Sequence, residues 1–258
     1  QPPQGAEIPA FIAALWQAKA ENLGPLINSP LSEISPRCSA DGLSLFFASN
    51  GPGGFGDLDI WMSSRTAADS PWRKPVNLGP PVNTRHSEGR LTLSDDGLSL
   101  FFTSDRPGGQ GKLDIWMTTR STPGGPWEDP VNLRPPLNSP DTDWGPSISS
   151  NGLEMFFCSD RPNGHGGDDI YVTTRASTKD PWREPVNLGP SVNSFNNDGS
   201  PSISAHGKLL FFKSRREGSF LGGDIWVTER AAGQDEWGPP VNLGPAINNE
   251  NNEDCAEL

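Results

Sequence analysis

Four acidic residues recur at one fixed interval: Glu33, Glu88, Asp143 and Asp198 stand 55 residues apart. Carboxylates repeated at one point of a repeated structure converge wherever the repeats converge. Two chemistries use such a set. Hard cations such as Ca²⁺ take several carboxylate and carbonyl oxygens. A glycosidase takes two carboxyl groups roughly 5–10 Å apart, held in unlike environments. The alternative for each acid is local: an ion pair with an arginine, or a cap on its own loop.

A second set is defined by disagreement between the repeats. Trp144 stands where the other units have Ile34, Gly89 and Gly199. The tips of the glycine-rich loops vary as Phe55, Gln110, His165 and Phe220, with Arg85, His86, Arg106, Arg161 and Phe195 nearby in sequence. Exposed aromatics and arginines are typical recognition residues, and aromatic rings also stack on sugars. The expected ligand site is therefore Trp144 with Phe55, His165, Phe220, Arg106 and Arg161; for any one of them, ordinary loop variation is the competing reading. The three histidines lack metal-ligand spacing, and no Ser/His/Asp arrangement stands out. Asp59, Asp114, Asp169 and Asp224 follow glycine-rich turns, where a carboxylate is expected to accept the turn's own amides.

The elements that position these residues follow from the same period. Trp72, Trp127, Trp182 and Trp237 keep the interval, as do Arg65, Arg120, Arg175 and Arg230. The phrase Asn-Leu-Gly-Pro opens at Asn22, Asn77, Asn187 and Asn242, and at Asn132 with Arg134 in place of the glycine. A fixed period without insertions means a repeat architecture. Four units run at about 33–87, 88–142, 143–197 and 198–252, with a closing segment at 253–258.

Each unit carries four short strand signals, as in Pro146–Ser149, Leu98–Ser104, Leu113–Thr119 and Pro130–Leu133. Asp-Gly or Asn-Gly between the first two is a hairpin signal (Asp41-Gly42, Asp96-Gly97, Asn151-Gly152), with His206-Gly207 in the last unit. Leu98, Leu100 and Phe102 face one way and Phe101 the other, so this strand is apolar on both faces. Four antiparallel strands per unit, buried on both faces, predict a β-propeller blade. The expected fold is all-β, a propeller of four blades, with five blades as the alternative if the flanks add one. The glycine-rich loops and the inter-blade loops then share one face, with the four acids at the mouth of the central channel.

Residues 7–21 place Ile8, Phe11, Ile12, Leu15 and Ala18 at helical spacing, which predicts one amphipathic helix in an N-terminal flank of residues 1–31, ahead of the propeller domain at 32–258. It is expected to cover a face or edge of the propeller. In a closed ring the C-terminus returns to the start of the first blade. That phase brings Cys255 near Cys38, as a disulfide or as two thiols; Cys158 lies inside a second strand and reads as buried.

The bulk numbers bound the partners. The 258 residues carry a net charge of −12, with no basic cluster to neutralise phosphates, which argues against nucleic acid. No apolar run reaches the length of a membrane-spanning helix. The 29 glycines and 27 prolines lean towards disorder, but nine tryptophans and twelve phenylalanines supply enough apolar area for a core. A chain opening on Gln1 is expected either to have lost a leader or to be an excised segment.

The phrases carried by Asp96–Asn138 (DGLSLFF, SDRPGG, DIW, PVNL) resemble the WD40-like, Pro-Asp type repeat of TolB-like bacterial propellers. The resemblance covers residues 22–258. It implies an extracytoplasmic protein (secreted, periplasmic or envelope-associated), monomeric or a strand-exchanged dimer. It implies a non-catalytic binding or scaffold role towards a protein or glycan, with a Ca²⁺ or other cation in the channel as a further expectation. The alternative is a carbohydrate-active enzyme, a glycoside hydrolase or polysaccharide lyase, working through the channel-mouth carboxylates. TolB-like propellers are usually six-bladed, whereas this chain encodes four units.

Overall fold

The computed structural model describes residues 22–220, 222–231 and 236–248. The segment expected to form the N-terminal helix and Cys255 lie outside the described residues. The rest is a four-bladed β-propeller. Blade 1 is β1 (Glu33–Cys38), β2 (Ser44–Ser49), β3 (Asp59–Ser64) and β4 (Val76–Asn77). Blade 2 is β5 (Glu88–Leu93), β6 (Ser99–Ser104), β7 (Asp114–Thr119) and β8 (Val131–Asn132). Blade 3 is β9 (Asp143–Ile148), β10 (Glu154–Ser159), β11 (Asp169–Thr174) and β12 (Val186–Asn187). Blade 4 is β13 (Asp198–Ile203), β14 (Leu209–Ser214), β15 (Asp224–Glu229) and β16 (Val241–Asn242). Each blade is an antiparallel sheet in chain order.

The local chemistry explains the elements. In the first hairpin of each blade the turn glycine (Gly42, Gly97, Gly152 or Gly207) has φ between 68° and 70°, which an L-residue adopts only at a cost. The preceding Asp41, Asp96 or Asn151 accepts the amide two residues on, closing an Asx turn. The arginine at the end of the third strand donates from Nε to that glycine's carbonyl and lies flat on the blade's outer tryptophan: Arg65, Arg120, Arg175 and Arg230 sit 4.2–4.8 Å from the rings of Trp72, Trp127, Trp182 and Trp237. A guanidinium on an indole face gains roughly 0.5–2 kcal/mol. These recurring residues are blade architecture.

The inner strands β1, β5, β9 and β13 line the channel, and each shifts register once against its neighbour. At the shift stand Ser35, Arg90, Gly145 and Ser200, all at positive φ. Such a bulge bends the strand and re-aims its side chains. The fourth strand is only two residues long. Its asparagine folds back, with Asn77 Oδ1 accepting the Gly79 amide, and the chain leaves for the next blade.

The core lies between blades. Val82 packs with Phe46 and Ile60 of blade 1 and with Leu91, Leu100 and Phe102 of blade 2. Leu137 joins blades 2 and 3 in the same way, and Val192 joins blades 3 and 4. A closed ring of four like interfaces is what the repeat predicts. The fourth interface differs: Phe211, Ile225 and Val227 of blade 4 cluster with Ile247, while Leu45, Phe47 and Trp61 of blade 1 cluster with Ile27, and among the described residues the two groups form separate clusters. Among the described residues, Arg37 spans this side of the channel, donating from one guanidinium nitrogen to Ser202 Oγ at 3.1 Å and from Nε to the Leu91 carbonyl.

Candidate functional site

The glycine-rich loops and inter-blade loops do share a face, and they interlock. A Cβ on Gly56 would run into the His86 carbonyl, one on Gly111 into Asp141, and one on Gly166 into Asn196. Each glycine is therefore the seat for the next blade's inter-blade loop. Beside it, Asp59, Asp114, Asp169 and Asp224 accept amides from their own loop tips, at Phe55, Gln110, His165 and Phe220 respectively. Burial raises the Asp114 carboxyl above its ordinary value, against the lowering pull of the Gln110 and Gly111 amides.

The four repeated acids open the four inner strands at this face, and each closes its own loop. Glu88 accepts the Thr84 amide and hydroxyl at 2.8 and 2.7 Å. Asp143 and Asp198 accept the amide and hydroxyl of Ser139 and Ser194 at 2.6 and 2.8 Å. All three carboxylates are fully buried and each faces one arginine: Arg106 at 3.0 Å, Arg161 at 2.6 Å and Arg216 at 2.8 Å. The same arginines donate to the carbonyls of Val82, Leu137 and Val192, the residues wedged between blades. Each acid–arginine pair is thus a latch that ties one blade to the linker before it. Glu33 has the serine contacts, at 2.9 and 2.7 Å to Ser29, but Gly51 occupies the place of the arginine. Among the described residues, no three His, Cys, Asp or Glu side chains gather as metal ligands would.

Where the copies disagree, the structure brings residues together. Trp144 donates from Nε1 to Asp168 Oδ1 at 3.0 Å, and Asn197 donates to the other oxygen of Asp168 at 3.1 Å. The Arg90 guanidinium lies 4.3 Å from the Trp144 ring centroid. The ring edge fits because Gly199 has no side chain: a Cβ there would sit 2.7 Å from it. Lys213 and Arg215 complete the wall of a cavity of about 310 Å³ at the channel mouth. Arg90, Lys213 and Arg215 thus line the cavity around the indole together with Asp168 and Asp198, and Asp198 is matched by Arg216.

Of the residues expected to bind ligand, only Trp144 lines this cavity. Arg106 and Arg161 belong to latches. Phe55 and Phe220 are 53% and 45% exposed at separate loop tips, and His165 is exposed at another. Arg90, Asp168, Asn197, Lys213 and Arg215 were not picked out by sequence reasoning, although a signal was present. In the other units their positions hold mostly small or apolar residues, such as Leu58 and Leu113 for Asp168, or Ala48, Thr103 and Cys158 for Lys213.

Comparison with protein-family models gave no match, and neither did comparison with curated proteins. Solved structures do match. TolB from Acinetobacter baumannii superposes with a TM-score of 0.56 at 15% identity, over 85% of this chain and 45% of that one. The shared feature is the β-propeller fold of TolB. The chain spans less than half the length of that TolB. The α-L-arabinanase of Penicillium chrysogenum, complexed with arabinobiose, matches with a TM-score of 0.52 at 13% identity, over 80% of this chain and 65% of that one. An α-L-arabinofuranosidase from Lactobacillus brevis matches with a TM-score of 0.50 at 16% identity, over 85% and 76%. At these identities the likeness concerns the propeller itself. Among the described residues, no helix is long and apolar enough to cross a membrane.

Proposed function

We propose that the chain is a non-catalytic binding propeller that takes an anionic ligand, an acidic glycan or an acidic segment of a protein, at the channel mouth. The observation that carries this reading is the convergence of the repeat-breaking residues Trp144, Arg90, Asp168, Asn197, Lys213 and Arg215 on one cavity. Amplified repeats keep what the fold needs in every copy; a charged cluster built from one-off substitutions serves something else. The indole offers a stacking surface, Asn197 and Asp168 offer polar contacts, and Arg215 at the rim favours a negative partner. The buried acids support binding over hydrolysis: three of the four have their charge matched by an arginine and both oxygens occupied, which leaves them no free oxygen to serve as acid or base. An extracytoplasmic location, expected from the repeat resemblance, belongs to the same reading.

Calorimetric titration with oligogalacturonate and with oligoglutamate tests it. One of the two should bind, with affinity falling as salt rises, and Trp144→Ala or Arg215→Glu should weaken binding roughly tenfold or more. Binding unaffected by either variant, or no binding of either probe, overturns the reading. Release of reducing ends from the saccharide, lost in Asp168→Asn, replaces it with the hydrolase reading.

A further inference from the structure

Three interfaces between blades are built alike, and each uses one copy of the Asn-Leu-Gly-Pro linker. In the first, Asn83 holds both the amide and the carbonyl of Ile60 in blade 1, Val82 fills the space between blades, and Arg106 of blade 2 clamps the Val82 carbonyl. Asn138 and Asn193 repeat the arrangement on Ile115 and Ile170. The chain has four blades but five linker copies. At the interface between blade 4 and blade 1 two copies are present. Asn248 holds Ile225 of blade 4, and Ile27 packs on Leu45 and Phe47 of blade 1.

The devices that would close this interface in the ordinary way are missing from the sequence. Gly51 stands where the clamping arginine belongs. Leu221 stands where Gly56, Gly111 and Gly166 seat the next loop. β5 packs on β1 and β2, β9 on β5 and β6, and β13 on β9 and β10, but among the described residues β1 has no such place beside blade 4. Both faces are nonetheless buried, with Phe211 at 1% and Phe47 at 4% exposure, and they do not cluster with each other.

We propose that residues 7–21 dock as an amphipathic helix between blade 4 and blade 1, against the two apolar faces that form separate clusters there. The segment ends where the interface begins, at Asn22. Its apolar positions, Ile8, Phe11, Ile12, Leu15 and Ala18, form one helical stripe. Fifteen residues at 1.5 Å make a helix of about 22 Å, and a six-residue strand is about 20 Å long, so one helix spans the height of a blade. The apolar facing surfaces, Leu45 and Phe47 on one side and Leu209, Phe211 and Val227 on the other, match the stripe.

The test places a photo-cross-linking phenylalanine analogue at position 11 of the full chain, and in a second variant at position 17 on the opposite side of the helix. Mass spectrometry of the monomer should find position 11 joined to peptides containing residues 45–47 or 209–227 of the same chain, and position 17 joined to neither. Cross-links between two copies, cross-links to blade 2 or 3, or the same pattern from both positions overturn the proposal. So does the absence of any cross-link from position 11 in folded protein. None of these outcomes depends on the channel-mouth cavity.

Discussion

At the scale of single residues, the latches are the most exacting chemistry in the molecule. A fully buried carboxylate is tolerable only with its charge matched and its oxygens occupied. Asp143 meets both conditions through Arg161 and Ser139. Arg161→Ala leaves that charge buried and unmatched, and should cost about 3–5 kcal/mol in denaturant unfolding. The opposite change is available in blade 1, where Gly51→Arg supplies the missing partner to Glu33 and removes a flexible glycine. It should stabilise by about 1 kcal/mol, read as a raised unfolding midpoint at unchanged slope. Asp114 behaves differently because burial raises its carboxyl. A carboxyl that binds its proton more tightly in the folded state favours folding while protonated. That contribution is present below the ordinary aspartate range, about pH 4, and is lost as pH rises through the raised value. Asp114→Asn keeps an acceptor for the Gln110 and Gly111 amides but does not ionise. Its Tm relative to the parent should therefore be more favourable at pH 7 than at pH 3; a difference independent of pH would refute this account. None of these roles was fully legible in sequence. The 55-residue spacing marked Glu33, Glu88, Asp143 and Asp198 as one structural position. The spacing left their partner open, because each arginine stands 18 residues further on, across a hairpin.

At the scale of elements, the blade itself was legible almost strand by strand. Asp-Gly turns, alternation through Leu98–Phe102 and a breaker phrase after Pro-Val-Asn each act locally, and local signals survive in a sequence. The contact between loops does not, because it depends on where the next blade lies. Two glycines, one in the linker after β4 and one in a glycine-rich loop, show the two kinds of constraint. Gly79 has φ +65° with open space around the position of a Cβ, whereas Gly111 has none of that space: the Asp141 carbonyl fills it. Gly79→Ala should cost about 1–2 kcal/mol, the price of a left-handed L-residue. Gly111→Ala must displace the inter-blade loop and should cost more, about 2–3 kcal/mol, with chemical shifts changing through 139–143. If the two variants lose equal stability, backbone conformation rather than loop seating explains the repeated glycine. The channel-mouth cavity was half legible for the same reason. Trp144 announces itself as the one aromatic in a column that otherwise holds Ile34, Gly89 and Gly199. Arg90, Asp168 and Lys213 belong to three different blades, and only the ring brings them together.

At the scale of the whole molecule, a propeller is a short circular array, and the stability of an array is set by its interfaces as much as by its repeats. Blades 2 and 3 each have two latched interfaces, tied by Arg106, Arg161 and Arg216 and seated by Gly56, Gly111 and Gly166. Blades 1 and 4 each have one. Their other side lacks the arginine at 51 and the glycine at 221, and it relies on different contacts. Local opening should begin there, since the free energy of opening a unit falls with the number of interfaces that hold it. Native-state hydrogen exchange reads this directly. Amides of β6 and β10, in the middle of blades 2 and 3, should exchange only by global unfolding. Those of β2 and β14, equally central in blades 1 and 4, should exchange through a sub-global opening with a smaller dependence on denaturant. All four strands are six residues long, share the Phe-Phe pair and the closing serine, and are buried along most of their length, so intrinsic differences between them are small. Uniform protection across the four would mean that the interface between blade 4 and blade 1 is as strong as the latched ones. The Gly51→Arg variant separates the causes: restoring one latch should slow exchange in β2 towards that of β6 and leave β10 unchanged.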